Sequence, residues 1–399
     1  MHSDKKKLMI LGAGPSQLPA IKKAVELGFY VITVDYLPEN IGHTLSHHFV
    51  NCSTVDQDGV LHAAKELAID GIMTFASDVA TPTVGYVAEQ LGLAGGHSSV
   101  ALIMSNKSRF RTFQKKQGLN CPNFVIGQDF ETIRNQLTQL TPPVIMKPVD
   151  SSGSRGISTV DDLNSEHCFQ AFHYAHEYSH SGQVCIEEFV EGFDTSGDGF
   201  LINGKLFAVI THKHKQGLIP RGHRLPTTLS VEDQQRVKHE VSVHCCALEY
   251  SDGPLDFDVR VSKDNVTILE MSPRLGGNGI PMLIEHGSGV DLIATTIQFV
   301  VGESVELPEE IAITRGCGSW ILGSEHTGLL KDIASKEAMV SAIPEIFEYV
   351  LYSNIGSKVS EFVHSANSLG YVLFDCDSEA HYLKTVEGIQ NILNLHVSQ

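Results

Sequence analysis

Asp256-Phe257-Asp258-Val259-Arg260-Val261-Ser262-Lys263-Asp264-Asn265-Val266-Thr267-Ile268-Leu269-Glu270-Met271-Ser272-Pro273-Arg274 reads as two apolar strands joined by a polar turn. With the turn centred near Asp264, Asp258 and Glu270 fall opposite each other on paired antiparallel strands, so both carboxylates point to one face. Cross-strand neighbours have Cβ atoms roughly 5 Å apart, and like charges there destabilise a sheet unless something neutralises them. A bound divalent cation would do so, and hard carboxylate oxygens suit magnesium. Two solvated edge carboxylates are the plainer reading. The apolar neighbours Phe257, Val259, Leu269 and Met271 weigh against a fully wet surface.

Upstream, Val144-Ile145-Met146-Lys147-Pro148 runs into Asp150-Ser151-Ser152-Gly153-Ser154-Arg155-Gly156. Small residues let backbone amides approach phosphate oxygens, and Lys147 adds a fixed positive charge at the strand end. Taken alone, the same loop is equally a flexible surface segment. Cys185-Ile186-Glu187-Glu188-Phe189-Val190-Glu191-Gly192 is an apolar strand ending in acids. Such an end can hydrogen-bond an adenine amine and ribose hydroxyls, or simply terminate a strand. Near the start, Gly12-Ala13-Gly14-Pro15-Ser16-Gln17 follows a strand and opens a helix, but Gln17 stands where a dinucleotide fingerprint needs a third glycine. Asp35, at the end of the second strand, keeps a nicotinamide reading open as the ribose ligand.

The surrounding chain has 399 residues, enough for two or three independent cores. Its residues are 42% hydrophobic and 19% charged, as in ordinary globular proteins. A net charge of -18 opposes nucleic acid as the main partner, and Lys5-Lys6-Lys7 reads as a solvated lead-in. Eight scattered cysteines without a CxxC pair read as reduced thiols. Met1-His2-Ser3-Asp4 lacks the apolar stretch of a secretory signal, and no run reaches the roughly 18 apolar residues of a membrane span. A cytoplasmic location is expected.

Strand and helix signals alternate over the first hundred residues, with helices closed by Gly28 and Gly92, which predicts a parallel sheet of βαβ units. Beyond Ser105 the pattern becomes mixed. Asn203-Gly204 between apolar runs predicts a hairpin. The tail beyond Pro308 predicts a further α+β segment with a helix from Glu379 to Ile392.

In order, Lys107, the Lys147 strand with its Gly/Ser loop, the Glu187 to Gly192 strand end and the Asp258 to Arg274 hairpin resemble the ATP-grasp superfamily, in its biotin-carboxylase-like, carboxylate-amine ligase branch. The resemblance covers nearly the whole chain. It implies an ATP-grasp fold of α/β and α+β type: an N-terminal doubly wound domain (1–104), a two-subdomain ATP-binding cleft (105–305, lid about 120–192) and a C-terminal α+β domain (306–399). By the same resemblance Lys107 and Lys147 would contact the ATP phosphates under a lid formed by Ser152, Gly153, Ser154 and Gly156. Glu187 would accept from the adenine amine, with Glu188 and Phe189 beside it. Val190 would offer backbone bonds, and Glu191 or Asp194 would take the ribose hydroxyls. Asp258 and Glu270 would carry Mg2+ or Mn2+, with Ser272 standing where many members have Asn. Arg274 would face the transferred phosphate and the acyl oxyanion, with Lys213 and Arg260 as further phosphate or substrate contacts.

The implied reaction activates a carboxylate as an acyl-phosphate and joins it to an amine, with small-molecule partners and a homodimeric assembly. Bicarbonate-phosphorylating chemistry and a non-catalytic nucleotide-binding subunit are the alternatives. His212, His214 and His223 near the expected cleft read as structural, with His212 to Lys215 a possible substrate gate.

Overall fold

The computed structural model describes residues 5–398; the first four residues, on which the absence of a leader was read, lie outside the described residues. The N-terminal alternation folds as expected into a four-stranded parallel sheet in the order His48–Asn51, Tyr30–Asp35, Lys7–Leu11, Gly71–Thr74. Helices Gln57–Leu67 and Thr81–Leu91 end on Ala68 and Gly92, both in the left-handed region. The basic lead-in is not simply solvated. Lys6 donates to the carbonyl of Val301 and Lys7 to that of Leu67, tying the first strand to two helix ends.

Two further sheets build the cleft. A four-stranded antiparallel sheet, ordered Phe124–Gly127, Val184–Glu188, Val144–Pro148, Ser158–Val160, packs under helices Phe130–Leu137 and Glu166–Glu177 with its own core around Phe130, Val144, Phe172 and Ile186. The larger sheet has eight antiparallel strands. Its order is Val266–Ser272, Gly253–Val261, Phe193–Ile202, Lys205–Gln216, Ile219–Leu225, Cys317–Leu322, Gly370–Asp375, Ile346–Leu351. The tail therefore adds three strands to the central sheet.

The Asn203-Gly204 turn joins the two longest strands of that sheet, both residues having positive φ as a tight hairpin requires. Helix Val231–Ala247 packs on the same sheet and was not anticipated, because its weakly amphipathic run of His, Gln and Cys gives little periodic signal. All eight cysteines are free, and among the described residues no helix is long and apolar enough to cross a membrane.

Candidate active site

A cleft of about 400 Å³ opens between the small antiparallel sheet and the central sheet, with Ser16, Ala76 and Asp78 from loops of the N-terminal parallel sheet at one end. On its floor, the predicted hairpin has Asp258 paired with Glu270 and Asp256 paired with Ser272, around a turn closed by Ser262 and Asn265. Strand alternation puts both pairs on the face that lines the cleft. Each carboxylate of the first pair is met by one ammonium: Lys213 Nζ lies 2.7 Å from Asp258 Oδ1, and Lys107 Nζ lies 2.9 Å from Glu270 Oε1. Burial penalises both lysine charges, yet these acids hold the two ammonium groups above their ordinary range. The side chains of Asp258 and Glu270 are still 36% and 38% exposed, so the pair faces open space.

Opposite stands the Gly/Ser loop. Gly153, Ser154 and Gly156 all have φ between 62° and 70°, a left-handed run that turns the loop sharply over the cleft. A Cβ at Gly156 would press on Pro148 and Tyr178. Gly153 O accepts from Ser365 N, so the tail segment touches the loop, and Ser365 and Ala366 line the cleft beside it. Lys107 Nζ also donates to Ser151 O at 3.0 Å, joining loop and floor through one ammonium.

The strand end Glu187 to Glu191 departs from expectation. Glu187 is 1% exposed, and its carboxylate is bound by Lys147 at 2.8 Å and by Arg111 at 2.9 Å. Burial would raise this carboxyl, but the two cations hold it at about 2. Its oxygens are committed, and turning it toward an adenine would strand the fully buried Arg111 charge. Glu187 therefore fixes Lys147 at the cleft wall. Glu188, one residue on, points to the opposite face and accepts from Asn123 Nδ2 and Thr141 N. It braces loops at the edge of the small sheet, on the face turned from the cleft.

The remaining residues of this stretch divide. The Val190 carbonyl accepts from Arg260 Nη1 at 2.6 Å, which takes one of its two lone pairs, and the Phe189 ring lies 4.7 Å from the same guanidinium. Glu191 is exposed. Asp194 lines the cleft, with Lys215 and Arg260 on its Oδ2 at 2.6 and 2.7 Å; burial opposes its charge, but these cations and Lys213 hold it at about 2.

Arg274 reaches the cleft as expected but is shared by two carboxylates, Asp78 of the N-terminal domain and Asp256 at 2.7 Å. Asp256 adjoins Asp198, which is fully buried and accepts from Gly276 N at 2.9 Å. Burial pushes Asp256 up, and with Asp258 and Asp78 nearby it stays at about 6 despite Arg274. Gly276 is a close approach, since a Cβ there would sit 2.9 Å from Asp198 Oδ1. Asp78, Asp198, Asp256 and Arg111 were not singled out in the sequence. Asp256 sits two residues before Asp258 and Arg111 four after Lys107, so strand and helix periodicity offered those two; Asp78 and Asp198 carried no local signal.

Asp35 does not wait for a ribose: its carboxylate accepts from Ala13 N and Leu37 N, both at 3.0 Å, and it is 8% exposed. The nicotinamide reading loses its ligand. A second cavity of about 470 Å³ between helices Leu18–Glu26 and Ile280–Ser288 lies away from the paired carboxylates and the Gly/Ser loop.

Residues 140–282 match the family model of the ATP-grasp domain. The chain carries an ATP-grasp domain. The matched stretch takes in the Gly/Ser loop, Glu187 and the whole Asp258 to Glu270 hairpin, while Lys107 and Arg111 precede it. An L-amino acid ligase from Bacillus licheniformis superposes with a TM-score of 0.84 at 21% identity, covering 99% of each chain, so the ATP-grasp fold extends over both flanking segments. Carnosine synthase 1 of Mus musculus is 23% identical over 370 residues, 84% of this chain and 44% of its own length. An uncharacterised protein of Sinorhizobium fredii is 25% identical over 315 residues, 77% of this chain and 64% of its own length. The chain thus spans less than two thirds of either relative, and its likeness runs to the carboxylate-amine ligase branch.

Proposed function

We propose that this ATP-grasp chain is an ATP-dependent carboxylate-amine ligase that forms an amide bond through an acyl-phosphate. The observation that carries the reading is the Asp258 and Glu270 pair facing a Gly/Ser loop across a lysine-lined cleft. The donor set fits a hard divalent cation: two carboxylates on one face, each now neutralised by a lysine ammonium standing where cationic charge is needed. Asp258 and Glu270 would hold Mg2+ or Mn2+, which when bound neutralises polyphosphate charge.

The chain's own residues supply positioning and charge. Lys147, fixed by Glu187, and Lys107 give the phosphates fixed cations, and the amides around Ser152, Gly153 and Ser154 cover them. The γ-phosphoryl P–O bond to ADP breaks as a carboxylate oxygen bonds to phosphorus, replacing an oxide leaving group by phosphate. An amine then attacks the carbonyl; the C–N bond forms, the acyl C–O bond breaks, and the amine proton leaves to solvent. Arg274 and Lys213 meet the negative charge on the tetrahedral oxygen. Asp78 and Asp256 hold the Arg274 fork at the N-terminal end of the cleft. A cytoplasmic homodimer is part of the same proposal, and sedimentation reads the assembly.

The reading is tested by ADP release across pairs of amino acids and carboxylates, with mass spectrometry of products and hydroxylamine as a trap. An organic hydroxamate and a pair-dependent amide support it. ADP release that depends on bicarbonate, or none with any pair, overturns it in favour of carboxyphosphate chemistry or a non-catalytic subunit.

A further inference from the structure

On the strand Lys205–Gln216, alternation sends Lys213 into the cleft and its neighbours His212 and His214 to the other face. Two residues apart on one strand, the imidazoles converge, with ring centroids 4.5 Å apart. Glu379, in the first turn of the helix Glu379–Ile392, approaches them from the tail. One ligand atom from each of the three lies within 4.8 Å of the others, and His214 Nδ1 is 3.9 Å from Glu379 Oε1.

From this arrangement we propose a second cation site, separate from the catalytic pair, in which His212, His214 and Glu379 bind a transition metal of the Zn2+ class and staple the tail helix to the back of the cleft strand. Two imidazoles and one carboxylate form a donor set that suits Zn2+ or Co2+ and disfavours Mg2+.

The surroundings are those of a supported site. Thr228 Oγ1 bonds His212 Nδ1 at 2.7 Å, fixing the ring and leaving Nε2 to point elsewhere. His214 stacks on Tyr382 with centroids 4.0 Å apart and an interplanar angle of 11°. Its Nδ1 is the nitrogen that faces Glu379, while Nε2 is buried with no hydrogen-bond partner among the described residues. Arg224 Nε holds Glu379 Oε2 at 3.1 Å, which orients the carboxylate with Oε1 toward the histidines. Burial keeps both imidazoles below the ordinary histidine range, His214 at about 4, so near neutral pH the rings carry the lone pairs that ligation needs.

The test uses the full chain, stripped with a chelator and titrated with Co2+ in excess Mg2+ without nucleotide. One Co2+ per chain, with visible d–d absorption that Zn2+ abolishes, is the expected result. H212Q and E379Q should each weaken binding by at least about tenfold, while H62Q on the exposed surface binds as the parent does. Zn2+ should raise the melting temperature of the parent and not of H212Q. E379Q guards against a folding defect, because the Glu379 side chain is 44% exposed. Absence of saturable Co2+ binding, or binding that both H212Q and E379Q leave unchanged, overturns the site.

Discussion

Two acid-bearing strands wall the same cleft and behave in opposite ways. In the small sheet, Glu187 is sealed, with Arg111 and Lys147 on its oxygens. In the central sheet, Asp258 and Glu270 have one lysine each and are still more than a third exposed. By sequence both are acids in apolar strands, and both read as ligand contacts. The difference teaches that partner number and burial separate an acid that organises a site from one that works in it. A carboxylate holding two cations in a dry interior is committed, whereas one balanced by a single exchangeable ammonium can take another cation.

The comparison breaks most readily at Glu270. Glu270→Gln should lower ADP release by at least a few hundredfold, on the scale of losing a transition-state charge contact. Its stability to urea should change by less than about 1 kcal/mol, because its ion pair is partly exposed. Near-parental turnover would remove the paired carboxylates from the proposed chemistry.

Glu187→Gln should do the reverse, costing on the order of 3–5 kcal/mol in urea unfolding by leaving Arg111 and Lys147 uncompensated. A variant as stable as the parent would show that Glu187 is not the anchor of the small sheet.

Acid sharpens the same point. The Glu187 carboxyl is held at about 2 against an ordinary value of 4.5, so the folded state binds its proton less tightly than the unfolded state does. Its contribution is fully present above about pH 4.5 and is lost as pH falls toward 2. Urea midpoints measured across that window should fall more steeply for the parent than for Glu187→Gln; parallel slopes would refute the assignment.

The smallest effect belongs to Glu188, which accepts from Asn123 and Thr141 at the edge of the small sheet. Glu188→Gln should shift stability by less than about 1 kcal/mol and leave the KM for ATP unchanged. A large rise in that KM would return Glu188 to the cofactor space.

Much of this was legible in the chain. The βαβ alternation, the Asn203-Gly204 hairpin and the pairing of Asp258 with Glu270 follow from periods of 3.6 and 2 and from turn chemistry, all local properties. Lys147 stood out beside its small-residue loop, whereas Lys107, Lys213 and Arg274 came only from the resemblance to a known family; all four line the cleft. What local pattern could not supply was the partner of each charge. Glu187 meets Arg111 from 76 residues away, and Arg274 meets Asp78 from 196. Similarly, Glu379 reaches the His212 strand only because the tail extends the central sheet. Sequence by itself determined the elements, their faces and the supply of candidate site groups, since those depend on neighbours a few residues apart. Tertiary structure alone decided which acids are spent on holding cations and which stay open, because a charge's role is set by burial and by counter-ions brought in across the fold.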